Sequence, residues 1–143
     1  MPASKDITLD LDLPASFDGL SDGLAAIERH CGAAGLSAAV RARTLTVFEE
    51  IFTNTVKYGY GERGNGRIHV VLTCGDPLRL VLEDSAPPFD PTAWDSSADL
   101  ATGLAERPIG RHGIALVMGL SRSARWQKLS PGNRLTLELA ATG

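Results

Sequence analysis

Long apolar runs are missing from this 143-residue sequence. No segment approaches the ~20 consecutive apolar residues that a membrane-spanning helix needs. The opening stretch MPASKDITLDLDLP also lacks the apolar core of a secretory signal. A soluble, cytoplasmic protein is expected. Cysteine is scarce: Cys31 and Cys74 are the only two. Their spacing suggests neither a zinc site nor a disulfide framework, and they read as incidental core or surface thiols. Basic residues are not in excess, since 14 Lys and Arg face 17 Asp and Glu for a net charge of −3. That balance argues against a general nucleic-acid binder, which needs a basic stripe. What remains is an ordinary globular mixture, 43% apolar and 22% charged, of a length suited to one domain.

Periodicity organises the chain. Residues 5–13 alternate, with Ile7, Leu9, Leu11 and Leu13 on one side and Thr8, Asp10 and Asp12 on the other. This pattern predicts a half-buried strand ended by Pro14. Helical spacing follows over 17–34, through Phe17, Leu20, Leu24 and Ile27, with Gly32 and Gly35 closing the helix. A second helix opens at Leu36-Ser37, with Ser37 as its N-cap, and runs through Val47, Phe48, Ile51, Phe52 and Val56 into the glycine-rich stretch 59–66. Strands are predicted near 68–74 and 78–84, separated by Gly75-Asp76-Pro77.

Residues 85–109 hold four prolines and no sustained period, although 99–107 suits a short helix. A loop of that length inside a domain is usually functional. A short apolar helix over 110–120 and strands near 122–129 and 134–140, joined by Ser130-Pro131-Gly132-Asn133, complete the chain. The order implies one α+β domain over 1–143: a two-layer sandwich of a mixed, mostly antiparallel sheet with helices on one face.

Three places carry polar residues that the core pattern does not require. Glu50 and Asn54 lie one helical turn apart among apolar neighbours. An amide oxygen suits a hard cation such as magnesium, and a carboxylate can take a proton from a nucleophile. Spacing alone equally describes a solvated edge with one side-chain pair, the commoner situation for charged residues. Asp84 shares strand parity with Leu78, Leu80 and Leu82, where a carboxylate is costly unless paired. It either meets a ligand's amino group or caps the turn at the strand's end. Gly110-Arg111-His112-Gly113 precedes the last helix, where glycines and the helix dipole favour a phosphate. Arg111 and His112 either contact that phosphate or lie in solvent, and the preceding loop would be a lid over about 91–109.

Taken in order, these motifs resemble the GHKL ATPase superfamily, and within it the anti-sigma-factor serine kinases. The run from Glu50 to Tyr60 resembles their N-box, Asp84 to Pro91 their G1 box, and Gly110 to Val117 their G2 box. The closing Gly132-Asn133-Arg134-Leu135-Thr136-Leu137 also fits. The resemblance implies ATP and Mg²⁺ as cofactors. Glu50 would be the general base, Asn54 the magnesium ligand, and Lys57 a phosphate contact, unless it is a solvated helix-end lysine. Asp84 would accept a hydrogen bond from the adenine amino group. Ala86 would line the nucleotide site with it, Pro88 and Phe89 would shape the wall, and Gly110 and Gly113 would cradle the phosphates. Departures from the pattern are Ala86, where the family has glycine, Tyr58, where many members have histidine, and Arg111-His112, where a further glycine is common.

The implied function is phosphorylation of a serine on an anti-anti-sigma (STAS) partner, with a sigma factor as the second partner and a homodimer as the assembly. The alternative is a module without kinase activity that keeps the fold, holds nucleotide weakly or not at all and sequesters a partner. Ala86 is the residue that favours it, because a methyl group there crowds a position the family keeps bare. A detached catalytic half of a histidine kinase fits less well, since no helix carrying a phospho-accepting histidine is present.

Overall fold

Alternation at one end of the chain and four-residue spacing next to it build the first layer contact. In the computed structural model, which describes residues 7–60, 66–91 and 111–142, β1 (Ile7–Pro14) exposes Thr8, Asp10 and Asp12 and turns Leu9, Leu11 and Leu13 inward. α1 (Phe17–Ala33) starts at Ser16, whose hydroxyl accepts from the Gly19 N–H at 3.2 Å. It buries Gly19, Gly23, Ile27 and Cys31, one residue per turn on a single face. α2 (Ala38–Asn54) starts at Ser37, which accepts from the Val40 N–H at 3.2 Å. Its inner face holds Val40, Val47, Phe48, Ile51 and Phe52, with the Phe48 and Phe52 rings 5.3 Å apart.

α2 does not end as a regular helix. Residues Thr55–Gly59 form a wide turn with one extra residue per hydrogen-bonded ring, closed by the Tyr60 N–H on the Thr55 carbonyl at 2.9 Å. Such insertions are rare and occur frequently at functional sites.

The second layer is a five-stranded sheet in the order β1-β2-β3-β5-β4, with β2 Arg67–Cys74, β3 Leu78–Asp84, β4 Ser123–Leu129 and β5 Gly132–Leu139. Among the described residues all four pairings are antiparallel, where the sequence led to a mixed, mostly antiparallel sheet. Register places Leu9, Leu72, Leu80, Leu137 and Ala124 in one row across the five strands. The next row holds Leu11, Val70, Leu82, Leu135 and Trp126. Both rows pack under α1, α2 and α3 (Arg111–Leu120), and each fully buried leucine contributes roughly 1.5–3 kcal/mol. The opposite face is polar. It pairs Asp12 with Arg67, Asp10 with His69, Arg79 with Glu138 and Glu83 with Arg134, solvent-screened contacts that add little to stability.

Helices on one face of an antiparallel sheet confirm the α+β reading. One boundary moves: Gly132 and Asn133, read as turn residues, belong to β5. Gly132 has φ of +113°, a backbone shape that favours glycine, and Asn133 then stands opposite Asp84 in register. The suggested helix at 99–107 and most of the lid segment lie outside the described residues, as does Gly110. Among the described residues, no helix is long and apolar enough to cross a membrane.

Candidate functional site

The third row of the sheet is where the apolar pattern fails. Ile68 on β2 is fully buried, but its partner Asp84 closes β3 on the helix-facing side, and Asn133 lies across from Asp84 on β5. Directly above them α2 gives way to the wide turn. The result is a cleft open to solvent. Ile51, Leu82 and Leu135 supply its apolar lining, Asn54, Asp84 and Asn133 its polar groups, and Phe89 and Trp126 its aromatic ones. Thr55, Gly59 and Pro91 line the rest.

Asn133 organises the polar side. Its Nδ2 donates to Asp84 Oδ1 at 2.8 Å and to the Pro87 carbonyl at 3.2 Å. Its Oδ1 accepts from the Phe89 N–H at 2.9 Å and from the Trp126 indole N–H at 2.8 Å. One buried amide thus ties β5, β4 and the loop after β3 together. The Ala86 N–H also donates to Asp84 Oδ1, at 2.9 Å. Burial pushes the Asp84 carboxyl above its ordinary value, and the two hydrogen bonds from Asn133 and Ala86 pull the other way. Both bonds fall on Oδ1. Tyr60 pins the same loop from below: its hydroxyl accepts from the Ser85 N–H at 2.8 Å and donates to the Arg67 carbonyl at 2.8 Å.

Asn54 is 6% exposed, and its Nδ2 has no partner among the described residues. A buried amide left unmade costs about 1–3 kcal/mol, so an orphan on the wall of a cleft marks a place for a ligand. Glu50 stands one turn earlier on α2, against the start of α3. A β-carbon built on Gly113 would collide with the Glu50 carboxylate, so only glycine lets the two helices approach there.

The structure therefore gathers Asn54, Asp84 and Phe89 at one cleft and sets Glu50 against Gly113 at the junction of α2 and α3. Arg111 and His112 form the first residues of α3. Ala86 is 2% exposed and turns its methyl toward Gly59, and Pro88 stays at the surface. Lys57 lies elsewhere, in a small notch with Phe17, Leu20, Phe52 and Val56. Asn133, Trp126, Thr55, Gly59 and Tyr60 received no role from the sequence, although inward strand parity at Trp126 carried a usable signal.

The sequence matches the family described as the histidine kinase-like ATPase domain over residues 13–139. The chain belongs to that family. No curated protein is a significant match. Among solved structures, this histidine kinase-like ATPase domain is similar to the RsbU and RsbW domains of Rv1364c from Mycobacterium tuberculosis, with a TM-score of 0.63 and 17% identity. The match covers 97% of this chain and 33% of that one, so the domain corresponds to about a third of that protein chain. A second similar structure is the histidine kinase domain of the Erythrobacter litoralis EL346 blue-light activated histidine kinase, with a TM-score of 0.52, 17% identity and coverage of 98% and 70%. These likenesses concern the fold. ATP binding follows from membership of the ATPase family.

Proposed function

We propose that this histidine kinase-like ATPase domain is an anti-sigma regulatory factor that phosphorylates a serine of a STAS-type partner. The observation that carries this reading is the meeting of an orphaned Asn54 amide and a half-buried Asp84 carboxylate in one cleft, with Glu50 one helical turn before Asn54 and against Gly113. The fold neighbour with RsbU and RsbW domains is in keeping with a regulatory partner.

Asp84 holds the base: its Oδ2 accepts from the exocyclic amino group of adenine, and Oδ1 stays fixed by Asn133 and Ala86. Phe89 and Trp126 give the purine apolar surface. Asn54 would hold magnesium through its amide oxygen, since the ion prefers oxygen ligands, and its unpartnered Nδ2 would donate to a phosphate oxygen. Magnesium, when bound with ATP, neutralises charge on the phosphate oxygens. Glu50 accepts the proton of the attacking serine hydroxyl. Gly110, Arg111, His112 and Gly113 would contact the phosphates, and Lys57 would serve them only if its side chain leaves the notch beside Phe17. Sigma-factor binding and a homodimer belong to the same reading. Ala86, buried with its methyl against Gly59, keeps a second reading in view: a partner-sequestering module with weak nucleotide binding.

The test is Glu50→Ala, assayed by transfer of labelled phosphate to STAS proteins of the same genome. Loss of about 10²–10⁴-fold in transfer with ATP affinity unchanged is expected. An unchanged transfer rate removes Glu50 as the base.

A further inference from the structure

The two edges of the sheet carry opposite charge. β1, at one edge, holds Asp10 and Asp12 and no basic residue. β4, at the other, lies in the run 121–129, which holds Arg122, Arg125 and Lys128 and no acidic residue. That local excess of positive charge sits in a chain whose net charge is −3. The carboxylates of the polar sheet face are already engaged: Asp10 by His69, Asp12 by Arg67, Glu83 by Arg134 and Glu138 by Arg79. Arg122 reaches Asp76 at 3.8 Å. Arg125 and Lys128 have no ion-pair partner among the described residues. Thr136 stands directly across from Arg125 on β5, and the diagonal carboxylate of Glu138 also takes the Ser123 hydroxyl at 3.3 Å.

β4 is an open edge as well as a basic one. It pairs with β5 on one side, and among the described residues no strand pairs with its other side. Alternate N–H and C=O groups of such a strand point away from the sheet, ready to pair with another extended chain. The two faces of this edge differ. Ser123, Arg125 and Gln127 are exposed on the polar face. Ala124 and Trp126 pack on the core from the helix side and stay half-buried, as do Met118 and Leu120 of α3. A further strand laid along β4 would cover Ala124 and Trp126 with one face and meet Arg125 with the other.

We infer that β4 is a docking edge for an extended acidic segment of a partner protein, which adds as a sixth strand with apolar side chains toward Ala124 and Trp126 and carboxylates toward Arg125. Main-chain hydrogen bonds supply the affinity of this mode, and alternate side chains choose the partner. A second copy of the chain is the wrong occupant. β4 against β4 brings basic residues together, and like charges opposite one another destabilise a strand pair. β1 of another copy has the right sign, but His69 and Arg67 already hold its carboxylates. The charges that keep copies of this edge apart thus select an acidic strand. The inference stands on the edge alone and holds whether or not the cleft takes a nucleotide.

The experiment titrates the intact, ¹⁵N-labelled protein with a capped peptide of four Glu-Val repeats and follows the amide signals by nuclear magnetic resonance. The amides of 122–129 and the Trp126 indole N–H should shift and saturate, and the β4 amides should exchange more slowly with solvent. Binding should weaken several-fold as salt rises from ~0.05 M to ~0.3 M, because the reach of charge shortens. Arg125→Glu should weaken it about tenfold. Two control peptides separate strand addition from simple attraction. Lys-Val repeats keep the strand pattern with the wrong charge, and Glu-Pro repeats keep the charge but lack alternate N–H donors. Neither should shift the β4 signals. No shift of β4 at ~5 mM Glu-Val peptide overturns the inference, and so does equal binding of either control. Unchanged binding to a folded Arg125→Glu protein overturns the role of Arg125. The peptide comparison on the wild type stands even if that variant fails to fold. β4 signals that move with protein concentration, together with a dimer in sedimentation, would put a second copy on this edge and overturn the partner.

Discussion

Asn133 Nδ2 reaches Asp84 Oδ1 at 2.8 Å across the β3–β5 pairing, and the same amide accepts the Phe89 and Trp126 N–H groups. Asn133→Ala leaves both of those donors without their acceptor. Stability should fall by about 1–3 kcal/mol, read from urea denaturation. ATP affinity should fall with it, because the Asp84 carboxylate loses one of two bonds that orient it. A variant as stable as wild type would mean that water replaces the amide at no cost.

Asp84 makes stability depend on pH in a defined direction. Burial raises its folded pKa above the unfolded value. Stability tied to this group is then fully present below the ordinary aspartate range and is lost as pH rises through the raised value. Asp84→Asn keeps an acceptor for Ala86 and Asn133 but does not titrate. Its stability relative to wild type should therefore increase from acid to neutral pH, across the window between the two pKa values. Urea titrations at several pH values check this, and a constant difference would show that the carboxylate is not desolvated.

Gly59 and Ala86 share one space. A β-carbon at Gly59 would lie 3.1 Å from the Ala86 β-carbon, closer than the ~3.5–4.0 Å of ordinary carbon contacts. Gly59→Ala should cost about 1–3 kcal/mol by overpacking. Adding Ala86→Gly should recover that loss, so the double mutant cycle is non-additive. Additive costs would show that the two methyl positions do not meet.

The strands were legible because each is half-buried: alternation along β1, β2 and β3 records a wet and a dry face. Glu50, Asn54 and Asp84 were legible as polar residues in apolar settings. Asn133 was hidden by composition, since Ser-Pro-Gly-Asn reads as a turn and only the sheet register shows that its last two residues pair with β3. Lys57 stands in the notch rather than the cleft for a different reason. A regular helix would carry it to the face of Asn54 three residues earlier, but the wide turn at Thr55–Gly59 breaks that phase and nothing in Thr-Val-Lys-Tyr-Gly announces it.

Isothermal titration of the purified protein with ATP and ADP, with and without magnesium, tests the central claim most directly. The account predicts magnesium-dependent binding of ATP, weakened by Asp84→Asn by about tenfold, or ~1.4 kcal/mol. No heat of binding up to about 1 mM nucleotide, which corresponds to less than ~4 kcal/mol of affinity, would contradict it and leave a domain that acts through protein contacts alone.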